Sequence, residues 1–200
     1  QEARPAHELA EVKRLALAEA ILMLKASGVD DPTTFRWLEA PEARALERAE
    51  RLLSDLGAVE KNTGAITALG QRMLRFPLHP RYARMLLAAH DFGCVRSVAL
   101  IAALTQSRDL LLRRPAEHVQ DARDDLFARE TDSDFFVLMR AWRYAERNRY
   151  DGERCRRIGV HAQAARQVGA LFEQFLRIAG DEGLDIGDKP VARDVVQGLH

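Results

Sequence analysis

The sequence predicts a mainly α-helical protein: a small domain of helices carrying a short β-hairpin, followed by an α-helical bundle. Three observations support this. Apolar residues recur at helical spacing through most of the 200 residues. Two brief extended runs, Ala58-Val59-Glu60 and Ala65-Ile66-Thr67, flank a polar loop ending in Gly64. A break with two prolines, Phe76-Pro77-Leu78-His79-Pro80, then separates this region from a second stretch that reads as all helix.

The elements follow in order. Leu9 to Ala26 carries Val12, Leu15, Ala16, Ala20, Leu22 and Met23 at helical spacing, and Ser27-Gly28 ends it as a C-cap. Asp31-Pro32 opens a short segment with Phe35, Trp37 and Leu38. Pro41 stands at a helix start, where its missing N–H costs nothing. The helix Glu42–Leu56 aligns Ala45, Leu46, Ala49, Leu52, Leu53 and Leu56, and Gly57 stops it. The loop Lys61-Asn62-Thr63-Gly64 joins the hairpin strands, and Thr67 caps a further helix, Leu69–Arg75. Helices followed by a small hairpin form the winged-helix arrangement, a reading that rests on the order of elements. The expected domains are therefore 1–78 (winged helix) and 79–186 (helical bundle), with 187–200 as a tail.

In the bundle, Arg81–Phe92 is ended by Gly93, and Val95–Leu104 is the most apolar helix. Arg108–Leu112 leads to Pro115. Glu117–Ala128, Ser133–Asn148, Glu153–Ile158 and Ala162–Ala179 follow, then a ragged acidic tail. Phe135, Phe136, Trp142 and Tyr144 do not form one exposed row, so they are expected in the core rather than as a base-stacking platform. Phe35 and Trp37 receive the same reading.

Composition excludes several classes. With 47% hydrophobic and 30% charged residues the chain is too apolar for disorder, and 12 Gly and 7 Pro are too few for a fibrous protein. No apolar run approaches the roughly 20 residues of a bilayer span, and the N-terminal residues lack the apolar core of a secretory signal. Cys94 and Cys155 cannot build a disulfide framework or a metal knuckle, and are expected to be inert. A reducing, cytoplasmic setting is expected. There is no phosphate-cradling G-x-x-x-x-G-K-[ST] loop, no G-x-G-x-x-G, no H-E-x-x-H, no Cys-x-x-Cys and no G-x-S-x-G. His7, His79, His90, His118, His161 and His200 are scattered singly, and Asp30-Asp31 and Asp124-Asp125 lie in charged stretches. No catalytic residue, metal ligand or cofactor site is expected, which argues against a self-contained enzyme.

Charge is uneven although 30 Lys and Arg balance 30 Asp and Glu. Lysine occurs only at Lys13, Lys25, Lys61 and Lys189, so 26 of the basic residues are arginine, whose planar fork suits phosphate; a codon bias toward Arg and Ala would give the same count. Glu117 to Asp134 holds seven acids against Arg123 and Arg129, whereas Arg140 to Arg177 holds nine arginines against Glu146, Asp151, Glu153 and Glu173. Such a segment binds anions despite a neutral sum.

Several stretches together resemble a known family. Leu24-Lys25-Ala26-Ser27-Gly28-Val29-Asp30-Asp31 precedes Leu56-Gly57-Ala58-Val59, then Gly64-Ala65-Ile66-Thr67-Ala68-Leu69-Gly70, then Pro77-Leu78-His79-Pro80-Arg81 and Met85-Leu86-Leu87. Later come Arg140-Ala141-Trp142, Cys155-Arg156-Arg157 and His161-Ala162-Gln163-Ala164-Ala165-Arg166-Gln167-Val168. The series resembles the helicase-associated region of DEAH-box (RHA-type) RNA helicases over residues 5 to 186. The resemblance implies a degenerate winged helix and a ratchet-like bundle that, together with motor domains, enclose single-stranded RNA, and it makes 187–200 a tail toward a further domain. It also implies RecA-like motor domains elsewhere in the parent chain, with ATP and Mg held there, so that this sequence is a piece of a longer helicase.

The first candidate site is Arg154 to Gln167. Arg154, Arg156 and Arg157 supply charge, and a helix beginning near His161 places Gln163, Arg166 and Gln167 in its first two turns, where free N–H groups favour a phosphate. A solvated basic face is the alternative. Arg81 and Arg84, one turn apart, could reach phosphate, but the junction beside them favours an anchoring role. The wing loop has a single lysine, and the helix Glu42–Leu56 carries many acids, so a scaffold role suits the winged helix better than DNA reading. Single-stranded RNA or DNA is the expected partner, with no membrane. A winged-helix DNA-binding transcriptional regulator with a helical effector domain is the alternative, and a protein-interaction module a third.

Overall fold

The computed structural model describes residues 17–107, 109–127 and 133–187. The expected helix opening at Leu9 and the tail from residue 188 lie outside them. The chain divides into two compact units, Gln1–Ala88 and Ala89–His200.

In the first unit, α1 covers residues 17–26 and buries Leu17, Ala18, Ile21 and Leu22 on one stripe. It closes as expected: Gly28, at φ +89°, donates its N–H to Lys25 O (3.1 Å), and Val29 N–H reaches back to Leu24 O (3.0 Å). The α2 helix (Ala43–Asp55) buries Leu46, Ala49 and Leu53 and turns Arg44, Glu47, Arg48, Arg51 and Asp55 outward. The buried Lys25 ammonium ties the two helices, donating to Asp30 O at 2.8 Å and pairing with Glu50 at 3.1 Å.

The expected β-hairpin is not formed. Val59 and Ile66 make one isolated antiparallel bridge, framed by Glu60 N–H to Ala65 O (2.8 Å) and Thr67 N–H to Ala58 O (3.0 Å). The ladder has no room to grow. On one side Gly64 N–H turns back to Glu60 O (2.8 Å), and on the other Thr67 is taken as the N-cap of α3 (Ala68–Met73), its Oγ1 accepting from Gly70 N–H at 3.0 Å. The fold is therefore mainly helical, with no strand among the described residues. Phe35, expected in a core, is 40% exposed, with Trp37 edge-on to it at 5.2 Å.

The α4 helix (Pro80–Asp91) crosses the division between the units. At its start the His79 ring is buried; Nδ1 accepts from Arg81 N–H at 3.3 Å, and Nε2 has no partner among the described residues. Burial, and secondarily the Arg81 charge, push this imidazole down to about 4.

The second unit holds α5 (Val95–Gln106), α6 (Glu117–Phe127), α7 (Asp134–Arg147), α8 (Gly152–Arg157) and α9 (Ala162–Asp181). The apolar α5 packs chiefly on α9, which buries Val168, Phe172, Phe175, Leu176 and Ala179 along one stripe. Each of the large side chains so buried contributes roughly 1.5–3 kcal/mol. The α7 helix starts at Ser133, whose hydroxyl caps Phe135 N–H (3.3 Å), and it leans on α9 through Trp142. The Trp142 indole donates to Ala165 O at 3.0 Å and meets Phe172 edge-on at 5.4 Å. Phe135 is not core: it stands in the opening turn, ahead of the first buried residue Met139, and is 37% exposed.

A further departure from expectation lies at Arg108–Leu112, which is not helical over its described residues 109–112. Leu111 pairs antiparallel with Val160; Leu112 N–H donates to Gly159 O (2.8 Å) and His161 N–H to Leu110 O (2.9 Å). Gly159, at φ +66°, makes the turn that α8 needs to reach this pairing. The buried Arg123 of α6 closes over it, donating to Leu112 O at 3.0 Å and to Gln120. No helix among the described residues is long and apolar enough to cross a membrane.

Candidate nucleic-acid interface

The basic segment is organised around the turn between α7 and α8. Asn148 caps α7, its N–H and its side-chain Nδ2 both donating to Tyr144 O (3.1 and 2.8 Å). Arg149 and Tyr150 then adopt left-handed conformations, φ 53° and 56°, which a side chain with a Cβ disfavours. Tyr150 N–H reaches Ala145 O at 2.7 Å, and Asp151 restarts the chain as a helix, its carboxylate accepting from Arg154 N–H at 2.8 Å.

Two of the expected arginines are fixed on this turn. Arg154 Nη1 donates to Asn148 Oδ1 at 2.8 Å, and Arg166 Nη2, from α9, donates to Tyr150 O at 3.4 Å. Both remain exposed. Arg157 pairs with Glu153 at 2.6 Å, both side chains 73% exposed, so this ion pair adds little to stability. Arg156 is exposed on the same short helix.

His161 occupies the N-cap of α9 but its side chain caps nothing, and the first turn holds no acid. Its exposed neighbours Gln163, Arg166 and Gln167 share a helix face. With no acid in its first turn, the start of α9 keeps the positive end of the helix dipole unopposed, which favours an anion. Cys155 beneath is buried, and burial raises its thiol, with Asp151 adding to the shift; burial raises Cys94 likewise. Both are poor nucleophiles at neutral pH.

The sequence counts the α7 arginines in its basic segment but does not name them as site residues. Arg140, Arg143 and Arg147 are exposed at i, i+3 and i+7, and Arg149 follows on the turn itself. The spacing was legible; the role of Asn148 as the acceptor that holds Arg154 was not. Arg81 and Arg84 lie on α4 in the first unit, exposed and half-buried respectively, and are not counted with this cluster. The exposed face of α2 mixes Glu47 and Asp55 with its arginines, which makes a poor duplex-reading surface.

Residues 49–78 match the family described as helicase associated domain (HA2), winged-helix, and residues 79–156 match helicase associated domain (HA2), ratchet-like. Arg154 and Arg156 fall inside the ratchet-like match, whereas Arg157 to Gln167 lie beyond it. The chain is similar to the ATP-dependent RNA helicase HrpA homolog of Haemophilus influenzae, 32% identical over 183 residues, covering 88% of this chain and 13% of the relative. It is 29% identical over 199 residues to ATP-dependent RNA helicase HrpA of Escherichia coli (94% and 15% covered). It is 26% identical over 174 residues to the probable ATP-dependent RNA helicase DHX35 of Homo sapiens (87% and 25% covered). The chain thus spans a quarter or less of the length of these curated relatives. The chain belongs to the helicase-associated (HA2) family, carrying its winged-helix part followed directly by its ratchet-like part.

Proposed function

We propose that this chain is the accessory part of an ATP-dependent DEAH-box RNA helicase that grips single-stranded RNA and couples it to RecA-like motor domains of the same protein. The observation that carries this reading is the pair Arg154 and Arg166, both exposed and both held by the Asn148–Tyr150 turn. Phosphates are the natural ligand of such a set, because guanidinium forks and helix-start N–H groups both favour oxyanions. The relatives' names, all ATP-dependent RNA helicases, support the choice of RNA. The mechanism is mechanical: the bundle holds the strand against back-slipping while the motor cycles. The chain has no phosphate-cradling glycine loop, and among the described residues no group of three or more His, Cys, Asp or Glu side chains could hold a metal ion. ATP and Mg belong to the motor domains, and the cytoplasm is the setting.

The test is fluorescence anisotropy of a labelled single-stranded oligouridylate. Replacing Arg154 and Arg166 together by alanine is expected to weaken binding roughly five- to thirtyfold, two exposed charge-assisted contacts at about 0.5–1 kcal/mol each. Unchanged affinity refutes the assignment. Duplex DNA binding that is lost on replacing Arg48 and Arg51 of α2, with no loss from the Arg154/Arg166 variant, would favour the transcriptional regulator.

A further inference from the structure

Arg149 and Tyr150 are consecutive left-handed residues, and neither is the glycine or asparagine that tolerates this backbone. Such a pair persists only where its surroundings over-determine it. The surroundings are visible on α9. Gly169 sits inside that 20-residue helix, where glycine is intrinsically poorer than alanine. A Cβ placed on Gly169 would stand 2.8 Å from Tyr150 Oη and 3.7 Å from Tyr150 Cζ, with Trp142 Cζ2 also at 3.7 Å. The missing side chain leaves room for the hydroxyl end of Tyr150, whose ring carbon would stand at ordinary contact distance. The ring is half-buried, and burial together with the Glu146 and Glu173 charges raises its phenol. Its own carbonyl receives Arg166, and Asn148, two residues earlier, receives Arg154.

We infer that Tyr150 is a positioning residue for the RNA grip: its ring, seated on Gly169, locks the 148–150 turn from which Arg154 and Arg166 are held. The inference rests on the RNA-binding reading above. Tyr150 need not touch RNA; it acts through the two guanidinium groups.

The matched perturbations are Gly169→Ala and Gly180→Ala. Both place alanine on α9, but a Cβ at Gly180 meets only Ile186 Cδ1, at an ordinary 3.6 Å. In the same oligouridylate assay Gly169→Ala is expected to weaken binding about three- to tenfold, the scale of losing one or both exposed contacts, while Gly180→Ala binds as the parent does. Adding Tyr150→Phe to Gly169→Ala removes the obstructing oxygen and leaves a ring carbon at 3.7 Å, so the double variant should recover to within about twofold of the parent. In the Arg154→Ala/Arg166→Ala background, Gly169→Ala should change affinity no further. Full binding by Gly169→Ala, failure of Tyr150→Phe to rescue it, or an equal loss in both backgrounds would each overturn the positioning role while leaving the arginines' role standing. If Arg154→Ala/Arg166→Ala itself binds normally, the RNA reading falls and this inference falls with it.

Discussion

Gly70→Ala is the sharpest test of how the first unit is built. A Cβ at this position would lie 2.2 Å from Ala58 O, 2.9 Å from Ile66 Cγ1 and 3.0 Å from Ala58 C. The obstacle is backbone, and it is also the carbonyl that accepts Thr67 N–H at 3.0 Å. Relief requires α3 to withdraw by about 1 Å, which strains that bond and the Thr67 cap, each worth about 1 kcal/mol. Overpacking adds about 1–3 kcal/mol. Against this, alanine gains about 1 kcal/mol of helix propensity. The balance is a loss of about 2–4 kcal/mol, read as a lower urea midpoint by circular dichroism. Amide exchange should quicken at Glu60 and Thr67, the donors that frame the single bridge. A variant as stable as its parent, with both amides equally protected, would refute the close approach. It would leave helix propensity as the only term.

Two further outcomes follow from side chains already described. His79, at about 4 when folded against 6.5 otherwise, stabilises the fold above pH 6.5 and loses that contribution as pH falls toward 4, up to about 3 kcal/mol at about 1.4 kcal/mol per unit; His79→Asn keeps an acceptor at the start of α4 and should lack this acid limb in urea midpoints measured across that range, whereas an unchanged limb would contradict the assignment. Glu153→Gln releases Arg157 from an exposed pair, so stability should stay within about 0.5 kcal/mol while oligouridylate affinity rises about two- to threefold; weaker binding would mean that Arg157 faces away from the strand.

Helices such as α2, α5 and α9 were legible from their buried apolar residues, and others from a recognisable cap. Leu46, Ala49 and Leu53 announce α2, Ser133 opens α7 and Thr67 opens α3. What escaped has physical reasons. The hairpin shrank to one bridge because Thr67 serves as a helix cap, and a residue cannot both extend a ladder and begin a helix. The Leu111–Val160 pairing is a single bridge between distant segments, which leaves no periodic trace in either. Phe35 and Phe135 look like core residues by type alone, yet exposure depends on what reaches them. At the candidate site the arginines were visible as charge, but an Asn-Arg-Tyr turn with two left-handed residues carries no composition signal. Gly169 was the available clue, an isolated glycine in a helical pattern that points to a close approach.

The most direct test is the salt dependence of oligouridylate binding by this chain. Two to four phosphate contacts, from Arg154, Arg166 and the start of α9, predict a log–log slope between about −1.4 and −2.8, so that affinity falls roughly seven- to fiftyfold from 50 to 200 mM salt. A flat titration, or no binding even at low salt, would contradict the claim that this surface grips a phosphate backbone.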